Sequence, residues 1–301
     1  MKSRRLPRFK RAPAVAPIEL TERDCAIIRL VHRHRFLRSS HIIALLGDSP
    51  QQVLRRLQLL YHHGFLERPR AQIEYYQEGG SRHIIYGLGT KGASLLKQES
   101  GADLRSGVKP ASVGRLFFEH SIFVSDIMVA LELACRNAKG VRLLAADELP
   151  LPSGVGRKFK WRVKLNNRVS LGLIPDRVFA IESDEFSHRS PSFFFLEADR
   201  GTMPVVRKSL SQSSFYRKLL AYEATWATGL HRSRFGFHRF RVLTVTTSAA
   251  RVESLVAACS QLKRGHGLFL FADRSALDNL DILFSPIWQA GRPGEMASIL
   301  D

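Results

Sequence analysis

Hydrophobic positions in the first hundred residues recur at helical spacing in three short bursts and then at strand spacing. Thr21 is followed three residues later by Asp24, and Ile27, Ile28, Leu30 and Val31 continue up to about Arg35, the pattern of a capping box that opens an amphipathic helix. Ser39 or Ser40 can cap a short second helix carrying Ile42, Ile43, Leu45 and Leu46, which Gly47 stops. Ser49 and Pro50 open a third helix, terminated at Gly64, whose apolar face holds Val53, Leu54, Leu57, Leu60 and Tyr61. Phe65 and Leu66 begin a strand, and Gly79 and Gly80 lie in a polar turn between Gln77 and Arg82. His83 to Leu88 reads as the returning strand, after which Thr90 caps a helix through Ala93, Leu95 and Leu96.

Apolar periodicity lapses from Ser100 to Gly114, where Gly101, Gly107 and Pro110 suit a linker. Beyond it the pattern predicts a long helix over Arg115 to Asn137 and a strand at Val141 to Leu144. A basic strand follows around Lys158 to Leu165, then apolar runs at Leu173 to Ile181 and Ser192 to Glu197. A helix over Ser211 to Ala227, a strand at Phe240 to Thr246, a helix over Ala249 to Lys263 and a strand at Leu268 to Phe271 complete the order. Strands alternating with helices imply a sheet with helices packed on it. The expected class is therefore α/β (α+β). It comprises a basic disordered arm over 1–18, an N-terminal winged helix-turn-helix over 19–99 and a linker over 100–114. A mixed α/β domain flanked by helices then runs over 115–290, with a tail over 291–301.

Charge adds a partner to this picture. Lys and Arg number 46 against 27 Asp and Glu, a formal net charge of +19, which favours a phosphate-bearing partner such as double-stranded DNA. The third helix carries Gln51, Gln52, Arg55, Gln58 and His62 opposite its apolar face, with Arg56 at the flank and no acidic residue among them. Such side chains donate to and accept from base edges and phosphates. Leu59 also falls outward, either as a thymine-methyl contact or because another surface covers the helix. Arg82 and His83 at the hairpin would join the arm in phosphate or minor-groove contacts. The helix following Thr90 is a place where such domains pack or form a homodimer.

No apolar run is long enough to span a bilayer and no signal segment opens the chain, so a cytoplasmic, nucleoid- or plasmid-associated protein is expected. Cys25, Cys135 and Cys259 lie far apart in apolar helical patterns and read as buried reduced thiols. His32 and His34, two apart on a helix, point to different faces and do not form the metal-holding histidine cluster that covalent strand transfer by a tyrosine requires.

In the second domain, Ile174-Pro175-Asp176 is followed about twenty residues later by Phe193-Phe194-Phe195-Leu196-Glu197-Ala198-Asp199-Arg200. If these strands are neighbours, Asp176 and Glu197 approach and could share Mg2+, which takes oxygen ligands and activates water. The pattern resembles the PD-(D/E)xK nuclease core, a restriction-endonuclease-like mixed sheet in which an acidic residue on the first helix, here Glu119, is a further ligand. Asp199 stands where that core has its lysine, and Lys218 on the next helix is the candidate for a migrated one. The other reading is a degenerate nuclease fold in which Glu197, Asp199 and Arg200 form a buried charge network. The aromatic run Phe193 to Phe195 reads as a central buried strand, or as an interface that holds partner proteins.

Both halves together carry a resemblance. An early winged helix, Glu119, His120 and Asp126 on one helix, Ile174-Pro175-Asp176, Leu196-Glu197-Ala198-Asp199-Arg200-Gly201-Thr202, and Lys218-Leu219 with Tyr222 are similar to the replication-relaxation family of bacterial plasmids and mobile elements. The resemblance implies a DNA-binding protein acting in plasmid replication, relaxation and mobilisation or transcriptional control, with replication or mobilisation proteins as partners. A DNA endonuclease that needs Mg2+ is the alternative function.

Overall fold

The computed structural model describes residues 8–12, 16–73, 83–100, 114–184 and 191–300. The chain divides into two compact units, residues 1–129 and 130–301. The division falls inside the long helix and not within 100–114, because the first half of that helix packs on the first unit.

The first unit opens with α1 (Glu22–His34), β1 (Phe36–Arg38), α2 (Ser39–Leu46) and α3 (Pro50–His62). β2 (Leu66–Glu67), β3 (Ile85–Leu88) and α4 (Thr90–Ser100) follow. The capping box of α1 forms: the Asp24 N–H donates to Thr21 Oγ1, and Asp24 Oδ2 accepts from the Thr21 N–H at 2.8 Å. Arg35, with φ at 72°, ends α1 in one residue and turns the chain straight into β1. That left-handed conformation costs a non-glycine residue energy.

β1 is absent from the hydrophobic pattern because three residues are too short to show a period. It forms through antiparallel pairing of Phe36 with Gly87 and Leu37 with Tyr86, giving a sheet in the order β1-β3-β2. The Gln72 side chain extends the sheet on the β2 side of β3, beyond the end of β2. Its amide nitrogen donates to the Ile85 carbonyl at 2.9 Å, and its oxygen accepts the Ile85 N–H at 2.8 Å. Gly89 is required by a close approach, since a Cβ there would lie 2.3 Å from the Gly64 carbonyl oxygen.

α5 (Arg115–Asn137) matches its predicted span. Phe118 and Ile122 on its first half pack with Phe36 and Ile85, and Ser125 donates to the His34 carbonyl.

The second unit holds β4 (Val141–Leu144), β5 (Trp161–Lys164), β6 (Ser170–Leu173), β7 (Arg177–Ser183), β8 (Ser192–Ala198), α6 (Phe215–Ala227) and α7 (Leu230–Phe235). β9 (Phe240–Thr246), α8 (Ala249–Cys259), β10 (Phe269–Asp273), β11 (Trp288–Ala290) and β12 (Met296–Ala297) follow. Its main sheet runs β12-β11-β10-β9-β8-β7-β4. β4, β7 and β8 are antiparallel neighbours, α6 and α7 cross over, and β9 returns parallel to β8 with β10 parallel to β9. The run Leu173 to Ile181 is broken at Ile174 to Asp176, so β6 leaves the main sheet and pairs with β5 in a separate two-stranded ribbon.

β8 is an interior strand between β9 and β7, and Phe193, Phe194 and Phe195 are all buried. The aromatic run is therefore core and not an exposed interface. Phe193 and Phe195 face the large core under α6 and α8 with Trp161, Tyr222, Phe235, Phe237 and Phe240. Phe194 stacks on Phe179 on the other face. Cys135 and Cys259 are buried, with thiols pushed up to about 12 by desolvation, whereas Cys25 is only half-buried.

Candidate functional site

On α3 the structure separates exposed side chains from those fastened into the fold. Gln51, Gln52, Arg55 and Gln58 are exposed. Leu54, assigned by its spacing to the apolar face, is 45% exposed among them, while Leu59 is half-buried. The helix is rotated slightly from the face the spacing implied because Val53, Leu57, Leu60 and Tyr61 suffice to fill the core. The oxygen of Gln52 accepts from Arg23 Nη1 at 3.2 Å, and Arg23 is itself held by Asp48 at 2.6 Å.

Arg56 and His62 do not belong to the exposed face. Arg56 forms a two-pronged ion pair with Asp24, which has no exposed surface, and also donates to the Glu19 carbonyl. Burial pushes the Asp24 carboxyl up, but the hydrogen bonds from Arg56 and Thr21 outweigh it and leave the group below its ordinary value. His62 is buried, and its Nδ1 accepts the Ala12 N–H at 3.1 Å. Desolvation, followed by the nearby Arg68 and Arg11 charges, lowers its pKa, so the imidazole is neutral.

The arm expected to be disordered is thus fastened over residues 8–12. Arg11 donates to the Tyr61 and Leu66 carbonyls and pairs with Glu67, and Arg68 donates to the Arg8 carbonyl. His83 is exposed, with Ser39 Oγ 3.4 Å from its Nδ1. Arg82 and the turn expected over Gln77 to Arg82 lie outside the described residues.

The second unit brings its acidic motif together. β7 pairs with β8 so that Arg177 faces Leu196, and the next step of that register sets Asp176 opposite Glu197. Asp176 Oδ2 caps the strand by accepting the Ala198 N–H at 2.8 Å. Glu197, 1% exposed, accepts from Lys218 Nζ at 2.5 Å on Oε2 and from the Tyr222 hydroxyl at 2.6 Å on Oε1. Residues 218 and 222 are one turn apart on α6 and share a face.

Burial pushes the Glu197 carboxyl up and the Asp176 charge adds to this, against the pull of Lys218 and Tyr222. Desolvation opposes the Lys218 charge, yet Glu197 and Asp176 hold its ammonium above the usual lysine range. Burial, then the Glu197 charge, lifts the Tyr222 phenol well above its ordinary value.

Asp199 forms a second knot. Arg251 on α8 donates to it at 2.8 Å and 3.3 Å, Thr246 Oγ1 at 2.9 Å and the Gly201 N–H at 3.2 Å. Its cation is Arg251, which the sequence reading did not single out because it lies some fifty residues away. Glu119 lies in the first unit, where Arg115 one turn earlier donates to it at 2.9 Å. Among the described residues, no three His, Cys, Asp or Glu side chains are grouped to hold a metal ion.

Mg2+ does not fit the Asp176 and Glu197 pair as arranged. Each Glu197 oxygen already accepts a hydrogen bond from the chain's own donors, and the Lys218 ammonium already supplies the positive charge at Oε2. Within the cluster, the Glu197 charge is matched by Lys218.

The model of the replication-relaxation family matches residues 28–239, spanning α3, Asp176, Glu197 and Lys218. The chain belongs to the replication-relaxation family. No curated protein and no solved structure matches it. Membership associates this replication-relaxation protein with plasmid or mobile-element replication or relaxation. The matched segment ends just before β9, so the Glu197 knot lies inside it while Arg251 lies beyond. No helix among the described residues is long and apolar enough to cross a membrane.

Proposed function

We propose that the chain is a sequence-reading, duplex-DNA-binding protein of a mobile element, acting in its replication, mobilisation or transcription. The first unit would serve as a winged helix-turn-helix with α3 in the major groove. One observation carries this reading. Gln51, Gln52, Leu54, Arg55 and Gln58 form an exposed face without a carboxylate, on a helix tied to the fold through the ion pair of Arg56 with the buried Asp24. Gln and Arg recognise A and G edges respectively, and Leu54 takes over from Leu59 as the apolar contact for a thymine methyl. His83, with Arg82 beside it in sequence, would contact phosphates from the hairpin.

The test is discrimination by the full chain between a duplex recovered by in vitro selection and a scrambled one. Gln51→Ala with Arg55→Ala is expected to cost about 1–3 kcal/mol of discrimination per lost base contact. Unchanged discrimination would remove α3 as the reader.

In the second unit, the order α5-β4-β7-β8-α6-β9 and the placing of Asp176, Glu197 and Lys218 favour descent from a nuclease-like core. The internal neutralisation of Glu197 favours a structural use of it. Supercoiled plasmid incubated with the full chain and Mg2+ or Mn2+ is expected to stay uncut. Cleavage that disappears in both Asp176→Ala and Glu197→Ala would establish the nuclease instead.

A further inference from the structure

The β5–β6 ribbon is a second charged element that the reader helix does not account for. From Leu149 to Pro175 the chain has no Asp or Glu, and Arg157, Lys158, Lys160, Arg162, Lys164 and Arg168 are concentrated there. The strand period sorts them. Trp161, Val163, Leu171 and Leu173 are buried in the core under α6, and the Trp161 indole N–H donates to Thr225 at 2.9 Å. Lys160, Arg162 and Lys164 point to the other face and are exposed.

Their cross-strand neighbours are small: Gly172 faces Arg162 and Ser170 faces Lys164, so nothing bulky stands over the basic row. Arg162 bends onto the Ser170 carbonyl at 3.0 Å. Arg234 of α7 donates to the Lys160 carbonyl at 3.1 Å and adds a guanidinium beside the row. Asn166 builds the turn by accepting the Arg168 and Val169 N–H groups, and leaves Arg168 exposed at the tip. Among the described residues, no carboxylate pairs with Lys158, Lys160, Lys164 or Arg168.

We infer that this ribbon is a second DNA contact, in which Lys160, Arg162, Lys164 and Arg168 track the phosphates of a duplex. Successive side chains on one strand face are about 6.6–6.8 Å apart, close to the spacing of consecutive phosphates on one nucleic-acid strand. A two-stranded ribbon also fits against a groove of the double helix. The exposed face carries no aromatic side chain on which unstacked bases could rest, which selects duplex over single strands. Two of the three strand positions in the row are lysines, and Arg162 is turned back onto the Ser170 carbonyl, so the row contributes affinity and salt dependence through phosphates and little sequence preference. This inference rests on the DNA-binding reading of the protein, but it concerns a different surface and a different observable.

The experiment measures affinity of the full chain for a mixed-sequence duplex from roughly 50 to 200 mM salt. Lys160→Gln, Arg162→Gln and Lys164→Gln together are expected to flatten the slope of log affinity against log salt by about 2–3, at roughly 0.9 per lost phosphate contact. Discrimination between selected and scrambled duplexes should not move. Lys160→Arg with Lys164→Arg should keep the parent slope, which separates charge from any effect on folding. A parent slope in the triple variant overturns the inference, whatever the α3 variants do, and so does a full chain that binds no duplex. It is also overturned if the triple variant loses binding to phosphatidylglycerol vesicles and keeps its DNA affinity, since the ribbon is then a lipid contact. An unchanged slope with lost discrimination in the α3 variants would leave the reader helix standing and remove only the ribbon.

Discussion

Arg56→Ala is expected to destabilise the first unit by about 2–4 kcal/mol at neutral pH, reaching into the range for breaking a buried ion pair but discounted because Arg56 keeps about a fifth of its side chain in water. Asp24 has no exposed surface, so the variant leaves a carboxylate in the interior with only the Thr21 hydrogen bonds. Arg56→Lys should recover only part of this, because a single ammonium cannot repeat the two-pronged contact. Asp24→Asn with Arg56→Leu should cost less than Arg56→Ala alone, since no charge is stranded.

The pH dependence has a definite sign. Asp24 is held below its ordinary 3.8 in the folded chain, so its contribution is present above about pH 3.8 and is lost as pH falls through the folded value. The gap between parent and Arg56→Ala in urea denaturation should therefore be full at neutral pH and close in acid. A constant gap would show that Arg56 acts through packing alone. At temperatures where the variant stays folded, its choice between duplexes should match the parent's, because Arg56 is a fastener and not a reader.

Lys218→Met is expected to cost about 2–3 kcal/mol at neutral pH. It strands Glu197 while keeping the apolar stem, and the cost falls toward the lower end because Lys218 retains about a third of its side chain in water. Here the acid dependence runs the other way. The Glu197 carboxyl is raised above 4.5 in the fold, so its contribution is fully present below about pH 4.5 and is lost as pH rises through the folded value. Without Lys218 that value rises further, and the variant should regain stability relative to the parent as pH falls.

Lys218 is itself raised above 10.5, and its contribution, present below that pH, is lost as pH rises through its folded value. The parent should show this alkaline loss and the variant should not. Glu197→Gln combined with Lys218→Met should return most of the stability. If the double variant is as unstable as Lys218→Met, the stranded carboxylate is not the cause.

These two pairs mark where local pattern ends. The spacing of Thr21 and Asp24 was enough to specify a capping box, because its partners are three residues apart. Nothing local indicated that the same carboxylate would take Arg56 from α3, so Arg56 read as one more base on a polar face. His62 misled for the same reason: a histidine outside the apolar stripe looks exposed until residues 8–12 lie over it. Leu54 fell to the solvent side because a helical stripe defines a face only to within about a residue.

α5, β4 and β9 were legible to the residue because each carries an uninterrupted period. β1, β11 and β12 are too short to carry one and exist only through their pairing. β5 read correctly as a basic strand, but its partner did not: that β6 separates from β7 at Ile174 to Asp176 is settled by which strand each segment can pair with.

The sequence by itself determined the class of the fold, the helix that presents Gln51, Arg55 and Gln58, and the acids and lysine of the second unit, since periodicity, capping and charge are local properties. Only the tertiary structure decided which charges are spent inside the protein. Asp24 on Arg56, Glu197 on Lys218 and Asp199 on Arg251 are matched across 32, 21 and 52 residues of sequence. The physical reason is that a buried charge takes whichever partner packing brings within hydrogen-bond reach, and separation along the chain does not constrain that choice.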